Sequence, residues 1–465
     1  MHPQNKYWRL WWIAWSASAE CAGVPAHNLC SLPLGIDNRL LDNSRRITPA
    51  ISPRAALMRR IHSFFAILLL LAASAQVVAR PYPVGTGMAA SADSATTASS
   101  NPAGISRFTA FAAESEILWL TSESNWESEF SQSGRQFNSS DSSDTVVPRV
   151  ALIQPLTDRI NFSFTFLGTG FSDDLGDWPG RYFIKSYDSV YVSAFPSLAY
   201  KIDEQWSVAA SVAITYSSFE QERAVLNVFD PGQGDGLWKI ESDSVEFGYG
   251  LSTLYQMTER TRFGLTYQSE IEPDREGDSD FSGLGPRTEA AMQRLGLLDV
   301  DINVESTSPQ SVLAGVYHEF TNDHALTADL MWMNFSNFQL SQMYFNGQAL
   351  IEPDTQYNDI YIFSSSYSWP ASERWMLGVG GLVTNQMIDD DERTMTLRLD
   401  AAWSAGVGAE WKWTPSRRVK MSVSYVGMGD APVSTPSLPI VGSLEGKFKS
   451  RDMLVFQLGV NWGSL

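Results

Sequence analysis

Six times along this chain a strand-like run ends on an aromatic or apolar residue, a short polar turn follows, and a second strand-like run opens. The instances are LIQPLTDRINFSF, LAYKIDEQWSVAA, LYQMTERTRFGLTY, VYHEFTNDHALTADL, YSWPASERWMLGV and EWKWTPSRRVKMSV, with turns near positions 157, 203, 259, 322, 372 and 415. Each turn holds the Asp, Pro, Thr, Asn or Ser that reverses a chain cheaply. Between the hairpins lie longer connectors, 172–186, 222–243, 272–308, 338–355, 388–397 and 428–448, rich in Gly, Asp, Pro and Ser. Short turns alternating with long connectors are the asymmetry of an outer-membrane β-barrel. Six turns join twelve strands, and one strand at each end makes fourteen, an even count that closes with both ends on one side. The expected fold is all-β: a transmembrane antiparallel β-barrel of about fourteen strands.

The strands carry the matching pattern. In Trp206 to Ser217 one face reads Trp206, Val208, Ala210, Val212, Ile214, Tyr216, and the other reads Ser207, Ala209, Ser211, Ala213, Thr215, Ser217. Period-two alternation of large apolar against small or polar side chains is a strand with two different solvents. In a barrel the apolar face meets lipid and the small polar face meets the lumen. Trp206, Tyr255, Trp332, Trp369, Trp375, Trp411 and Trp413 lie near strand ends, where aromatic girdles form. The last strand sets Leu454, Phe456, Leu458, Val460 and Trp462 on one face. Gln457-x-Gly459-x-x-Trp462 resembles the C-terminal signal read by the barrel-assembly machinery, an expected partner, although the chain ends Gly463-Ser464-Leu465.

Upstream, Met58-Arg59-Arg60 is a basic n-region, Phe64 to Leu71 an h-region, and Val77-Val78-Ala79 a cleavage site, with Ala73-Ser74-Ala75 as a rival. The apolar stretch, even counted from Ile61 to Ala73 across polar Ser63, is shorter than the roughly 20 residues of a membrane helix. The reading is a secretory signal over residues 58–79, with Met58 as the expected initiator, residues 1–57 a mis-assigned upstream extension, and the mature chain beginning near Arg80. Both cysteines, Cys21 and Cys30, precede Met58, which excludes disulfides and thiol chemistry downstream. Residues 1–79 hold 8 of the 33 Lys and Arg and 3 of the 52 Asp and Glu, so the remainder has 25 against 49, a net charge of −24. Such a surface does not seek nucleic acid. The expected location is the outer membrane of a Gram-negative bacterium, as a monomer in contact with membrane lipid and lipopolysaccharide.

Between signal and barrel runs SADSATTASSNPAGISRF, nearly all small residues. A fourteen-stranded lumen is wide enough to leak, and residues 80–106 are the sequence available to close it, as a small N-terminal hatch ahead of a barrel over 107–465. Asn101-Pro102 breaks the helix period, because the residue before proline leaves the helical region. GTGMAASADSATTASSNPAG resembles the N-terminal hatch of the long-chain fatty acid transporter (FadL) family, which includes aromatic-hydrocarbon importers. That family's Asn-Pro-Ala motif is matched by Asn101, Pro102 and Ala103, followed by Gly104. PSLAYKIDEQWSVAASV, LYQMTERTRFGLTYQSEI and SPQSVLAGVYHEFTNDHALTADLMWMNFSNF resemble its hairpins. The resemblance implies capture of a hydrophobic molecule in extracellular loops, passage past the hatch, and lateral release through a bend in the third strand. That strand is read as Arg159 to Phe171, with Gly168 and Gly170 near its outer end; a strand glycine often marks a bend, and plain packing is as good a reading.

Two connectors hold more apolar residues than solvated loops need. One carries Val225, Leu226, Val228, Phe229, Leu237 and Trp238; the other carries Met292, Leu295, Leu297 and Leu298 on an expected helix, Thr288 to Leu298. Either they pack on one another or they form a ligand groove. The acidic clusters Asp274-Glu276-Asp278-Asp280 and Asp389-Asp390-Asp391-Glu392 have the oxygen donors of a Ca²⁺ site, but solvated loops are the expected reading, with no metal. From Met58 on, the chain has His318 and His324 beyond the His62 of the signal, no HExxH and no phosphate loop, so neither an enzyme nor a cofactor is expected. The expected function is passive outer-membrane transport of fatty acids or aromatic or aliphatic hydrocarbons. The alternative is a porin-like channel or a structural or surface-adhesion barrel.

Overall fold

The computed structural model describes residues 80–131, 138–271, 274–298, 302–305, 308–337, 342–345, 348–349, 357–393, 400–435, 443–449 and 452–463. The expected signal, its initiator and the upstream extension lie outside the described residues, as does most of connector 338–355. Among the described residues there are twenty strands: β1 (Ala112–Ser131), β2 (Asn138–Pro155), β3 (Ile160–Asp174), β4 (Ser186–Lys201), β5 (Trp206–Val225), β6 (Gly236–Thr258), β7 (Thr261–Gln268), β8 (Asp274–Ser282), β9 (Ile302–Glu305), β10 (Ser311–Glu319), β11 (Ala325–Met333), β12 (Gln342–Phe345), β13 (Gln348–Ala349), β14 (Ile360–Pro370), β15 (Trp375–Thr384), β16 (Ala402–Thr414), β17 (Arg417–Met428), β18 (Ala431–Ser434), β19 (Leu444–Lys449) and β20 (Met453–Gly463). Two α-helices accompany them, α1 (Thr97–Ser100) and α2 (Pro286–Arg294).

Fourteen of these strands close into a ring. β1 to β7 pair in order, β7 pairs β10, and the path continues through β11, β14, β15, β16, β17 and β20, each step antiparallel. β20 returns to β1 from Ala112↔Gly463 to Ser122↔Met453. The barrel is closed and antiparallel, as the turn count requires. The six short turns fall at 156–159, 202–205, 259–260, 320–324, 371–374 and 415–416, all at one end.

The remaining strands extend the wall at the other end. The ladder between β5 and β6 runs on to Val225↔Gly236, so connector 222–243 shrinks to 226–235. Val225, Leu237 and Trp238 are therefore strand residues, not loop residues. The reason lies in the partner: β7 covers β6 only from Gly250, and β8 takes over the free edge of β6 from Leu237↔Ser282 to Ser242↔Gly277. The acidic run 274–280 accordingly lies in a strand. β9 and β12 extend this flap, while β18 and β19 form a second flap on β1.

Which face of each strand is wet follows from period two. On β5, Trp206, Val208, Val212, Ile214 and Tyr216 are exposed outward, and Ser207, Thr215 and Ser217 are buried inward. Val245, Phe247, Tyr249 and Leu251 on β6, and Leu454, Phe456 and Leu458 on β20, continue the apolar belt. Water would charge about 25 cal/mol for each Å² of such a belt; a bilayer does not. Near the short turns, Trp206 stacks on Tyr255 at 4.5 Å and Trp375 on Trp411 at 6.2 Å, at the depth where aromatic rings prefer a membrane interface. No helix among the described residues is long and apolar enough to cross a membrane.

Candidate functional site

Residues 80–108 lie within the barrel, against the inward faces of its strands. The segment is rich in Ala, Ser and Gly because only small side chains let a backbone lie flat on a wall. Ala90, Ala92, Ala95, Ala98, Ala103, Ile105 and Phe108 are buried together with the wall residues Ala151, Ile153, Ala199, Ala209, Leu254 and Tyr317. The wall yields too. Gly264 and Gly315 face each other across β7 and β10, and a Cβ on Gly264 would collide with the Ala89 carbonyl. Gly378 and Gly408 face each other across β15 and β16, and a Cβ on either would strike the Pro81 carbonyl.

Backbone polar groups in such a segment need partners, and the wall supplies them. Asn101 is fully buried. Its Nδ2 donates to the Ala89 carbonyl at 2.6 Å and to the Thr253 carbonyl at 3.1 Å, and its Oδ1 accepts from the Ala103 amide at 3.1 Å. Pro102 starts the 3₁₀ turn Pro102–Arg107, where its missing N–H costs nothing. The Ala103 amide also donates to Ser252 Oγ at 2.9 Å, and a Cβ on Gly104 would meet that of Ala92 at 2.8 Å. Asp329 accepts from the amides of Met88 and Ala89 at 2.9 and 3.2 Å. Asn161 donates to the carbonyls of Ile105 and Phe108 at 2.5 and 2.7 Å. Arg262 donates to the carbonyls of Ala90 and Ser91 and lies over the Tyr317 ring, 3.7 Å from its centroid. At the short-turn end, Arg80 pairs with Glu319 at 2.8 Å and donates to Tyr317 Oη at 3.1 Å.

A second inward cluster holds charge against charge. Lys420 Nζ is 2.9 Å from Glu114 and 3.5 Å from Glu116, Arg149 Nε donates to Glu116 at 2.7 Å, and Arg418 is 2.6 Å from Glu410. Buried charges persist only in such pairs.

The wall is not continuous. β2 and β3 pair from Pro155↔Asn161 to Arg149↔Leu167 and no further among the described residues. Beyond that rung β2 stays with β1 alone, up to Glu127↔Asn138, and β3 stays with β4 alone, up to Asp174↔Ser186. The first unpaired positions are Pro148 and Gly168, where a Cβ on Gly168 would be 3.3 Å from Pro148 Cγ. Gly168 and Gly170 follow Phe162, Phe164 and Phe166 on the outward face of β3, so β3 itself puts no side chain over the split there, and the Pro148 ring lies against Gly168. On the lumen side, Leu118↔Val147 and Leu120↔Thr145 line β1 and β2. Toward the long-connector end an aromatic cluster ties the two flanks together. Trp126 of β1 lies 5.5 Å from Trp178 of the β3–β4 connector and 4.8 Å from Phe448 of β19. Leu175, Ile184, Val433 and Leu444 are buried with them.

The apolar connector residues stand on a stitched pair of elements. Asn227 Oδ1 accepts from the Gly285 amide at 2.8 Å, and Asp230 Oδ2 accepts from the Thr288 amide at 2.8 Å and its hydroxyl at 2.9 Å. Asp230 thus caps α2 from another loop, a place where a carboxylate is favoured. Burial pushes its carboxyl up, but the bonds from Thr288 and Arg287 outweigh this and hold it below the usual value. The helix covers Pro286–Arg294, so Met292 is on it while Leu295, Leu297 and Leu298 follow it. Phe229 is 55% exposed and Leu295 71%, with Val228 also exposed, so these rings and chains are not consumed by packing. Leu226 is half-buried, and Trp238 stacks on Phe281 at 5.5 Å.

Sequence reasoning passed over Pro148, Arg149, Asp230 and the wall glycines. Pro148 carried a signal: proline within a strand marks a free edge. The others had none, since their roles come from partners more than fifty residues away or across strands.

A model of the family described as outer membrane protein transport protein (OMPP1/FadL/TodX) matches residues 68–462. The long-chain fatty acid transport protein of Escherichia coli O6:H1 is 21% identical over an alignment of 374 residues, with 73% of this chain and 83% of that protein covered. The crystal structure of a Pseudomonas aeruginosa FadL homologue superposes with a TM-score of 0.74 at 17% identity, covering 84% of this chain and 100% of the other. The P. putida toluene transporter TodX superposes at 0.57 with 16% identity, covering 84% and 99%.

Proposed function

The chain belongs to the OMPP1/FadL/TodX family of outer membrane transport proteins, and from that premise we propose that it imports hydrophobic molecules across the outer membrane of a Gram-negative bacterium by lateral release into the bilayer. The observation that carries this is the split wall. A pore needs a continuous barrel and an open lumen; here residues 80–108 occupy the lumen and the β2–β3 ladder ends at Arg149↔Leu167. An apolar molecule that reaches the interior meets, at Gly168 and Gly170, a stretch of β3 with no outward side chain of its own, beside Pro148. The exposed Phe229 and Leu295 at the long-connector end, read as extracellular, are suited to first capture. Residues 80–106 then act as the hatch, closing the lumen to water and ions. The substrate class follows the relatives: long-chain fatty acids or hydrocarbons such as toluene.

The test is uptake of labelled oleate, with toluene in parallel, in cells lacking their own outer-membrane transporter. A Pro148→Cys/Gly168→Cys pair would place two thiols across the first unpaired position of the split, in a chain with no cysteine after Cys30. Uptake by the oxidised variant should stop and should return on reduction. Uptake indifferent to the staple would remove the lateral route and favour the porin-like reading.

A further inference from the structure

The last rung before the split pairs Arg149 with Leu167. Arg149 faces the lumen, because its β1 partner Glu116 is buried there with Gln457 and Lys420. Glu114 and Glu116 balance Lys420 and Arg149, so the cluster is neutral overall but not uniform. The Glu116 side chain is fully buried and Lys420 nearly so, whereas the Arg149 side chain is 24% exposed. The guanidinium spends Nε and Nη2 on one oxygen of Glu116, and Nη1 makes no hydrogen bond among the described residues. The cluster therefore turns a cation, with donors to spare, toward the foot of the opening. The next inward positions along the split are apolar: Leu118 and Val147, with Leu167 beside them.

A cation at the foot of an apolar strip matches one kind of molecule, an anion with a long hydrocarbon tail. A planar guanidinium suits a carboxylate in particular. We propose that Arg149 is a selectivity residue, holding the carboxylate of a long-chain acid while its tail enters the split, so that the chain favours anionic amphiphiles over neutral hydrocarbons. This rests on the lateral-release reading above. A neutral hydrocarbon would cross the same split without touching Arg149.

The experiment compares initial uptake of labelled oleate and labelled hexadecane by cells carrying the wild type, Arg149→Gln or Arg149→Lys, with barrel folding checked by heat-modifiable gel mobility. Arg149→Gln should lower oleate uptake about tenfold, the loss expected for one charge-assisted contact, and leave hexadecane unchanged. Arg149→Lys, which keeps the charge but loses the planar fork, should give oleate uptake between those of Arg149→Gln and the wild type. A parallel fall in both substrates, or no change in either, overturns the proposal. If the wild type carries neither substrate, lateral transport fails on its own, and the proposal is read from the purified barrel by displacement of cis-parinarate. There oleate should displace at lower concentration than oleyl alcohol, and Arg149→Gln should erase the difference; equal displacement by the two in the wild type overturns it.

Discussion

Asn101→Ala is the substitution that most directly tests whether the inner segment closes the lumen. Asn101 is fully buried and ties three strands of backbone together: the segment's own Ala89 and Ala103, and Thr253 of the wall. In the variant the Ala103 amide keeps Ser252 as a partner. The Ala89 and Thr253 carbonyls lose the Asn101 donor inside a dry interface. Each such loss costs about 1–3 kcal/mol when the group is left buried, and truncating the side chain leaves a small void. A total of about 3 kcal/mol is reasonable for the docking of the segment. Since about 1.4 kcal/mol is a factor of ten, the undocked fraction should rise about a hundredfold. Planar-bilayer recording reads this directly, as open events in excess of those of the wild-type barrel. Correctly inserted Asn101→Ala barrels that conduct no more than wild type would refute the idea that this segment is the seal.

Two further outcomes are expected. Trp178→Ala removes the ring between Trp126 and Phe448 and the donor to the Ile184 carbonyl, a loss of about 3–5 kcal/mol for a buried aromatic. Limited proteolysis should then cut the β3–β4 connector in an otherwise intact barrel, and wild-type resistance would show that the cluster does not hold the flanks together. Asp230→Ala should reduce amide protection in α2. The Asp230 carboxyl is held below its ordinary 3.8, so its contribution is present above that value and is lost as pH falls through the lowered one. Protection of α2 in the wild type should decline in that acid window while Asp230→Ala stays flat; identical profiles would remove Asp230 as the cap.

Much of the barrel was legible because its signals are local. A turn is encoded by the few residues within it, and a face by alternate residues of one strand, so the six turns, the count of fourteen and the lipid face of Trp206 to Tyr216 need no partner to be read. The strand ends were less legible. β5 and β6 run past their expected limits because β8 supplies hydrogen bonds to the free edge of β6, a partner from a different connector. Of the candidate site, Asn101-Pro102 announced a break in the chain, and only the surrounding wall gives Asn101 its buried partners. Gly168 was a plain strand glycine until the ladder beside it ended.

Composition and periodicity by themselves determine that this chain builds a closed wall with an apolar outside, since strands such as β5 and β20 carry both their solvents in their own alternation. The tertiary structure alone decided where that wall parts, what lies inside it, and which charge faces the opening. Those properties depend on register between strands far apart in sequence, on which Arg149 meets Glu116 and Leu167, and Gly264 meets Ala89. A one-residue slip would turn each of these side chains to the opposite face.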